Sequence, residues 1–416
     1  MQPSATTVWR SLDALNFFLA DVRDGLGPYL AIYLLTERRW DEASIGAVMS
    51  IAAIAGILAQ TPAGALIDRS RAKRALMIAA AMTVTAACLM LPLLDHFALV
   101  AATQALAAAA GSVFAPAIAA VTLGIVGPRA FAARTGRNEA FNHAGNAVAA
   151  AVAGGTAYWF GPVVVFWLLA AMALASIAAT LAIPAGAIDH QVARGLDHIA
   201  GEAAHEKPSG FRVLLTCRPL LIFAGATVIF HFANAAMLPL VGQKLALVNR
   251  NLGTSLMSVC IIAAQIVMVP VAIVVGRKAD VWGRKPIFAV ALAVLAIRGA
   301  LYPLSDNPYW LVSVQLLDGI GAGIFGALFP LVVADLTHGT GHFNVSQGAI
   351  ATATGIGGAL SAAVAGFIVV HAGYGAAFLF LAAIAAAGLV GYCVLMPETL
   401  RTTTASSSAA LAPHGG

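Results

Sequence analysis

Gly276-Arg277-Lys278-Ala279-Asp280-Val281-Trp282-Gly283-Arg284-Lys285-Pro286 separates two long apolar runs, and Gly64-Ala65-Leu66-Ile67-Asp68-Arg69-Ser70-Arg71-Ala72-Lys73-Arg74 separates two earlier ones. Gly64, Asp68 and Lys73 return as Gly276, Asp280 and Lys285 at one shift of 212 residues. Gln104 and Phe114 return as Gln315 and Phe325 at a shift of 211. Two basic loops in corresponding places mark a duplicated unit.

The residues around these loops set the class. Of 416 residues, 60% are hydrophobic and only 10% charged, and the mean hydropathy is +0.88. A soluble domain is about 45–50% apolar and about 25% charged. So few charges cannot cover a water-exposed surface, which excludes a soluble enzyme, a disordered chain and a nucleic-acid binder. The apolar runs are continuous and rich in Ala, Leu and Gly, so they read as spanning helices of about 20 residues and not as barrel strands. Twelve can be bracketed, at 11–35, 43–67, 74–94, 97–126, 139–160, 162–185, 219–241, 252–276, 286–304, 309–334, 346–370 and 374–396.

The expected fold is an all-α membrane protein of twelve transmembrane helices in two pseudo-symmetric six-helix bundles. A short N-terminus (1–10) precedes the first bundle (11–185), a polar linker (186–218) leads to the second (219–396), and a disordered tail (397–416) ends the chain. With the N-terminus inside, cytoplasmic segments carry 17 Lys and Arg, the opposite loops carry four, and Arg23 and Arg298 fall within spans. That asymmetry places both termini in the cytoplasm. The N-terminal stretch is read as a permanent span, because Asp13 interrupts it and no small-residue cleavage site follows. Cys88, Cys217, Cys260 and Cys393 are scattered, with no metal-ligand spacing.

The paired loops resemble the signature loop of the major facilitator superfamily: a glycine, an acid four residues on, then Gly-Arg-Lys. The first copy departs from it in having Arg71 where the family prefers glycine. The resemblance covers roughly residues 9–398 and implies a secondary transporter working by alternating access. It also implies a cytoplasmic gate formed by Gly64, Asp68, Arg69 and Lys73 with Gly276, Asp280, Gly283, Arg284 and Lys285. Physically, glycine lets helices approach closely, and the acid can accept from a neighbouring helix N-terminus. The fourth span has no arginine and the fifth no Gly-Pro pair, both usual in proton-driven drug antiporters of the family. A bacterial inner membrane is the expected location.

Charges inside the spans are the site candidates, because each costs at least about 2.5–3.5 kcal/mol unless paired or wetted. The first span carries Asp13, Asn16, Asp21, Arg23 and Asp24 on one face, ahead of Gly25-Leu26-Gly27-Pro28. Asp21, Arg23 and Asp24 are read as cavity-lining in preference to an ion-pair network, whereas Asp13 lies near the cytoplasmic end and is read as solvated. In the seventh span, His231 or Asn234 meets substrate, relays a proton, or makes a structural hydrogen bond; the sequence leaves these open. Arg298 is expected to snorkel outward, and Gln315 and Asp318 sit one helical turn apart, Asp318 being the costlier placement. His143 and Asn146 fit a cavity lining or a gate.

Gly321-Ala322-Gly323-Ile324-Phe325-Gly326 matches a dinucleotide fingerprint but lies inside a spanning helix with no strand before it. The sequon at Asn344 lies on the cytoplasmic side, where it would not be glycosylated. No nucleotide-binding, catalytic or metal constellation is present in the sequence, so no cofactor and no enzymatic activity are expected. The expected partners are a small-molecule substrate, protons and the lipid bilayer, with the chain a monomer that binds no nucleic acid. Proton-coupled efflux of an amphipathic or drug-like solute is the first reading. Proton-coupled transport of a small organic anion, with Arg23 or Arg298 as counter-charge, is the second, ahead of a membrane receptor or enzyme without transport. Trp159, Trp167 and Trp310 fall near span ends, which disfavours a glycan.

Overall fold

The computed structural model of the protein describes residues 5–24, 30, 33–34, 37–160, 163–196, 215–248 and 253–400. In the first half α1 (Ala5–Asp24), α2 (Glu42–Arg69), α3 (Lys73–Met90), α4 (Phe97–Gly111), α5 (Phe114–Phe160) and α6 (Val164–Ala182) follow one another. In the second half these are α7 (Arg218–Ala235), α8 (Met237–Val248), α9 (Gly253–Trp282), α10 (Arg284–Leu301), α11 (Pro308–Thr337) and α12 (Phe343–Leu395).

Local chemistry explains the helix ends. Asp41 caps α2 by accepting from Ser44 N at 2.9 Å, and Asn307 caps α11 ahead of Pro308, which suits the first helical turn. Among the described residues nine helical stretches are long and apolar enough to cross a membrane, two of them running 57 and 53 residues. At about 1.5 Å per residue each of those two would exceed twice the ~30 Å hydrocarbon thickness. Both break at a left-handed glycine, Gly127 (φ 69°) in α5 and Gly373 (φ 84°) in α12, so each supplies two crossings. α1, with five charged residues, is less apolar than the nine but occupies the first span.

Several expected boundaries shift. The fourth span is α4 plus the part of α5 before Gly127, and the fifth begins at Pro128, not at 139. The seventh divides at Ala236 between α7 and α8. The eighth runs on to Trp282, so most of the second signature loop is helix and only Gly283 (φ 85°) separates α9 from α10. The linker expected at 186–218 begins as a packed segment. Ile188, Val192, Ala193 and Leu196 are buried, Asp189 N donates to Gly124 O at 2.9 Å, and Gly339 N donates to Gly195 O at 2.6 Å. Gly25 to Pro28, residues 197–214 and the tail from 401 lie outside the described residues.

Two hydrophobic cores result. One is built from residues 12–193; the other spans 220–396 and takes in Phe131, Ala132 and Ala140 of α5. The halves meet along two seams at the end that carries the basic loops. On one, α2 lies against α12: a Cβ at Gly64 would collide with the backbone of Asn344, and Thr61 Oγ1 bonds Thr352 Oγ1 at 2.9 Å. On the other, α5 lies against α9, with Gly136 facing Gly276 backbone to backbone. Small residues permit this approach and dispersion rewards it. Towards the opposite end of α2, Ile51 and Ile54 are exposed and the halves part.

The start of the fifth span corrects two sequence expectations. Arg134 and Arg137 are not loop charges, and Asp13 is not solvated. Arg134 is fully buried and donates to Asp13 at 2.7 Å, while Arg137 donates to both Asp13 oxygens at 2.9 and 2.7 Å. Arg134 also lies over the Trp9 ring at 5.1 Å and donates to Asn138, which donates to Thr122 at 2.8 Å. The chain of bonds ties α1 to α5. Arg134→Ala should therefore destabilise the purified protein by about 3–5 kcal/mol in reversible denaturation, the cost of breaking a buried pair. A loss under about 1 kcal/mol, the value of an exposed pair, would contradict this assignment.

Candidate functional site

Where the halves part they enclose a cavity of about 270 Å³. Five wall helices present polar groups to it: Arg23 of α1, Gln60 of α2, Thr135, Asn138 and Glu139 of α5, His231 of α7, and Gln347 and Thr354 of α12. Phe325 and Phe329 of α11 form the apolar wall. A second cavity of about 380 Å³ shares Arg23, Gln60 and Ala115 and continues between α2 and α4 towards Met49. The lining of this second cavity belongs to the first half alone.

The charges in this cavity are few. Arg23 is half-buried and makes no hydrogen bond or ion pair among the described residues. Glu139 is mostly buried, 3.5 Å from Asn142 Nδ2 and 4.0 Å from His143 Nε2. A Cβ at Gly326 of α11 would come within 3.2 Å of its carboxylate, so a side chain there would crowd Glu139. His231 directs Nδ1 at Thr227 O (3.1 Å), which fixes the ring edge-on to Phe325 at 4.6 Å. Phe325 in turn stacks between Phe230 (5.2 Å) and Phe329 (5.4 Å). The aromatic wall is thus rigid.

Sequence reasoning named Arg23 and His231, and both line the cavity. Asp21 is half-buried with a partner of its own, and the side chain of Asp24 lies outside the described residues. Asn234 lines neither cavity; its Oδ1 is buried without a partner among the described residues. Arg298, Gln315 and Asp318 are brought together, but away from the cavities. Arg298 does not snorkel: it is 1% exposed and paired with Asp318, which also accepts from Gln315 Nε2 at 2.9 Å. Tyr302 donates to Gln315 and completes a network inside the second half. Each charge there already has its counter-charge, so the cluster packs α10 on α11.

Glu139 was missed. With the fifth span started at 139, the helical register of Thr135, Asn138, Asn142 and Asn146 was invisible. Begun at Pro128, these residues and Glu139 form one polar stripe at three- and four-residue spacing.

The two signature loops do different things. Asp68 accepts from Asn344 N (3.2 Å), Asn344 Nδ2 (2.8 Å) and Val345 N (2.8 Å), so a carboxylate of the first half caps the N-terminus of α12 in the second. Asn344 Nδ2 also reaches Ala193 O at 3.0 Å, tying in the linker. Lys73 is buried and donates to Ser70 O at 2.7 Å; Arg69 is exposed. Asp280 makes no matching cap. It is half-exposed and pairs with Arg284 at 2.8 Å, which also bonds Asp335 at 2.9 Å. The N-terminus of α10 is capped instead by Glu398, which accepts from Arg284 N at 2.8 Å and Lys285 N at 3.1 Å. Burial pushes the Glu398 carboxyl up, but bonds from the N–H groups of Leu400, Arg284, Lys285 and Thr399 outweigh it and hold it below the usual value.

Two outcomes follow from these caps. Asp68→Ala removes the acceptor for three donors, at about 1–3 kcal/mol for each one left unsatisfied, so spin-label distances across the α2–α12 seam should shift to an open population. Distances identical to wild type would contradict the cap's role. A carboxyl depressed by folding stabilises above its unfolded-state value and stops doing so as pH falls through its folded value. The melting temperature of Glu398→Gln should therefore lie below wild type near neutrality and converge with it below about pH 4. A gap that persists in acid would contradict this.

The family model of the Major Facilitator Superfamily matches residues 12–347 and 248–414. Uncharacterised MFS-type transporters from two strains of Mycobacterium tuberculosis are each 66% identical over 393 residues, 94% of this chain and 94% of theirs. Among solved structures, the proton:xylose symporter XylE bound to 6-bromo-6-deoxy-D-glucose aligns over 94% of this chain and 95% of its own, at TM-score 0.71 and 12% identity. FucP in the outward conformation aligns over 94% and 99% (TM-score 0.69, 14% identity). The human organic anion transporter MFSD10 aligns over 94% and 100% (TM-score 0.67, 16% identity). The six-plus-six helices, the two signature loops and the cavity between the halves are those of a multi-pass membrane transporter of small molecules, and the chain belongs to the major facilitator superfamily.

Proposed function

We propose that this transporter carries a small organic anion with an apolar body, coupled to protons, and that the cavity holding Arg23 is its binding site. The observation that carries the reading is Arg23 itself, a guanidinium at the cavity wall with no partner among the described residues. A charge at that depth is costly without a counter-ion, and a guanidinium matches a carboxylate or phosphate in geometry. Phe325 and Phe329 supply the surface for an apolar body, and Gln60, Gln347 and Asn138 supply uncharged donors and acceptors around it.

The charge balance of the cavity favours cotransport over the exchange expected of an efflux antiporter. A substrate anion and the Glu139 carboxylate repel, so a proton on Glu139 and an anion on Arg23 each strengthen the binding of the other. With the basic loops in the cytoplasm, the parted end faces outward and the Asp68 cap closes the inner end. Reversal of these two states moves the solute.

In proteoliposomes with an imposed pH gradient, a panel of labelled aryl and alkyl carboxylates should show flux that their neutral amides lack. Arg23→Ala should weaken apparent affinity about tenfold to a hundredfold, the value of a hydrogen bond to a charged group, with Arg23→Lys intermediate. Equal flux of acids and amides, or an unaltered Arg23→Ala, would overturn the proposal.

A further inference from the structure

His143 is the buried titratable group nearest the seam that the transport reading leaves without a task. It lies on α5 one helical turn beyond Glu139, is 8% exposed, and places Nδ1 2.8 Å from Oε1 of Gln265 on α9 in the other half. An amide oxygen only accepts, so the ring nitrogen facing it carries the hydrogen and Nε2 of the neutral ring is a bare lone pair. Nε2 has no hydrogen-bond partner among the described residues, and what it faces is Oε2 of Glu139 at 4.0 Å. A lone pair thus points towards a carboxylate, two acceptors with no hydrogen between them. The separation is too long for a hydrogen bond and short enough for the two groups to close on a shared proton.

We propose that Glu139 and His143 together form a one-proton site, and that the His143–Gln265 hydrogen bond conveys its occupancy to the seam between the halves. The proposal rests on the proton coupling inferred above and gives it a location. Glu139 lies 11 residues past Pro128, about 17 Å along the helix and near mid-depth in a core of about 30 Å. Empty, the pair carries one negative charge; loaded, it is neutral overall, with the proton on Oε2 of Glu139 and donated to the Nε2 lone pair of His143. Closing that bond draws the ring, and with it the partner of Gln265, towards the cavity. The moving contact belongs to the α5–α9 seam in which Gly136 meets Gly276.

Other groups face this pair. Arg23 of α1 and His231 of α7 are the further charged or titratable side chains among the described lining of the cavity, and Asp21 of α1 follows Ala20, which packs on Gly145. α9 contributes Gln265, α11 contributes Gly326 and Phe325, and α12 contributes Gln347 and Thr354, none of which titrates. Glu139 is thus the carboxylate of the described cavity lining, and His143 the base against it.

The test uses the full-length protein in lipid, with no substrate, and reads infrared difference spectra between acid and alkaline pH. Wild type should show a protonated-carboxyl band that Glu139→Gln abolishes and whose midpoint His143→Gln moves by about one pH unit or more. In Gln265→Leu the band should stay, while spin labels across the α5–α9 seam lose the pH-dependent distance change present in wild type. A band unaltered in Glu139→Gln, or unmoved in His143→Gln, would overturn the site. A seam distance that still follows pH in Gln265→Leu would overturn the relay. With no substrate present, these results stand apart from the carboxylate flux panel. A lost band in Glu139→Gln with no anion flux would remove the substrate reading alone.

Discussion

The Asp68 carboxylate of the first half bonds the N-terminus of α12 in the second, and the α2–α12 seam is built around that contact. Asp68 lies in the last turn of α2, and it satisfies the first backbone donors of α12 in the other half. Helix N-termini carry unpaired donors and partial positive charge, so a carboxylate there bonds and compensates at once. The close approach that allows it is set by Gly64, where any side chain would meet the backbone of Asn344. In the transport cycle proposed above, this contact closes the cavity at the end that carries the basic loops.

The duplication is not reproduced in its energetics. The first copy of the signature loop spends its acid on the opposite half; the second keeps Asp280 on its own helix and leaves the capping of α10 to Glu398. The second seam, between α5 and α9, therefore lacks a carboxylate cap from its own loop and relies on small residues and on the His143–Gln265 bond. One seam is held by a carboxylate on a helix N-terminus, the other by small residues and one hydrogen bond between side chains.

Much of this was legible in the sequence, and the limits have physical causes. Hydrophobic runs and the repeated loops are local and periodic, so the twelve crossings and the place of Asp68 at the loop could be read. Arg23 could be read as well, because a cation inside an apolar run is anomalous wherever it sits. Pairings were not legible. Asp13, read as solvated, finds Arg134 and Arg137 across more than 120 residues, and Arg298 finds Asp318 on the next helix, so two charges that looked available for substrate are already compensated. Glu139 was hidden for another reason: three arginines near the start of its helix read as loop, which moved the helix boundary onto the site.

The central claim is that one cavity binds an anion at Arg23 and a proton at Glu139 with positive linkage. Calorimetric titration of the purified protein with aryl carboxylates at acid and at alkaline pH tests it most directly, since linkage acts on binding free energy without regard to rate. The account predicts tighter binding at acid pH with net proton uptake, and loss of that pH dependence in Glu139→Gln. Binding that is indifferent to pH, or tighter at alkaline pH with proton release, would contradict it.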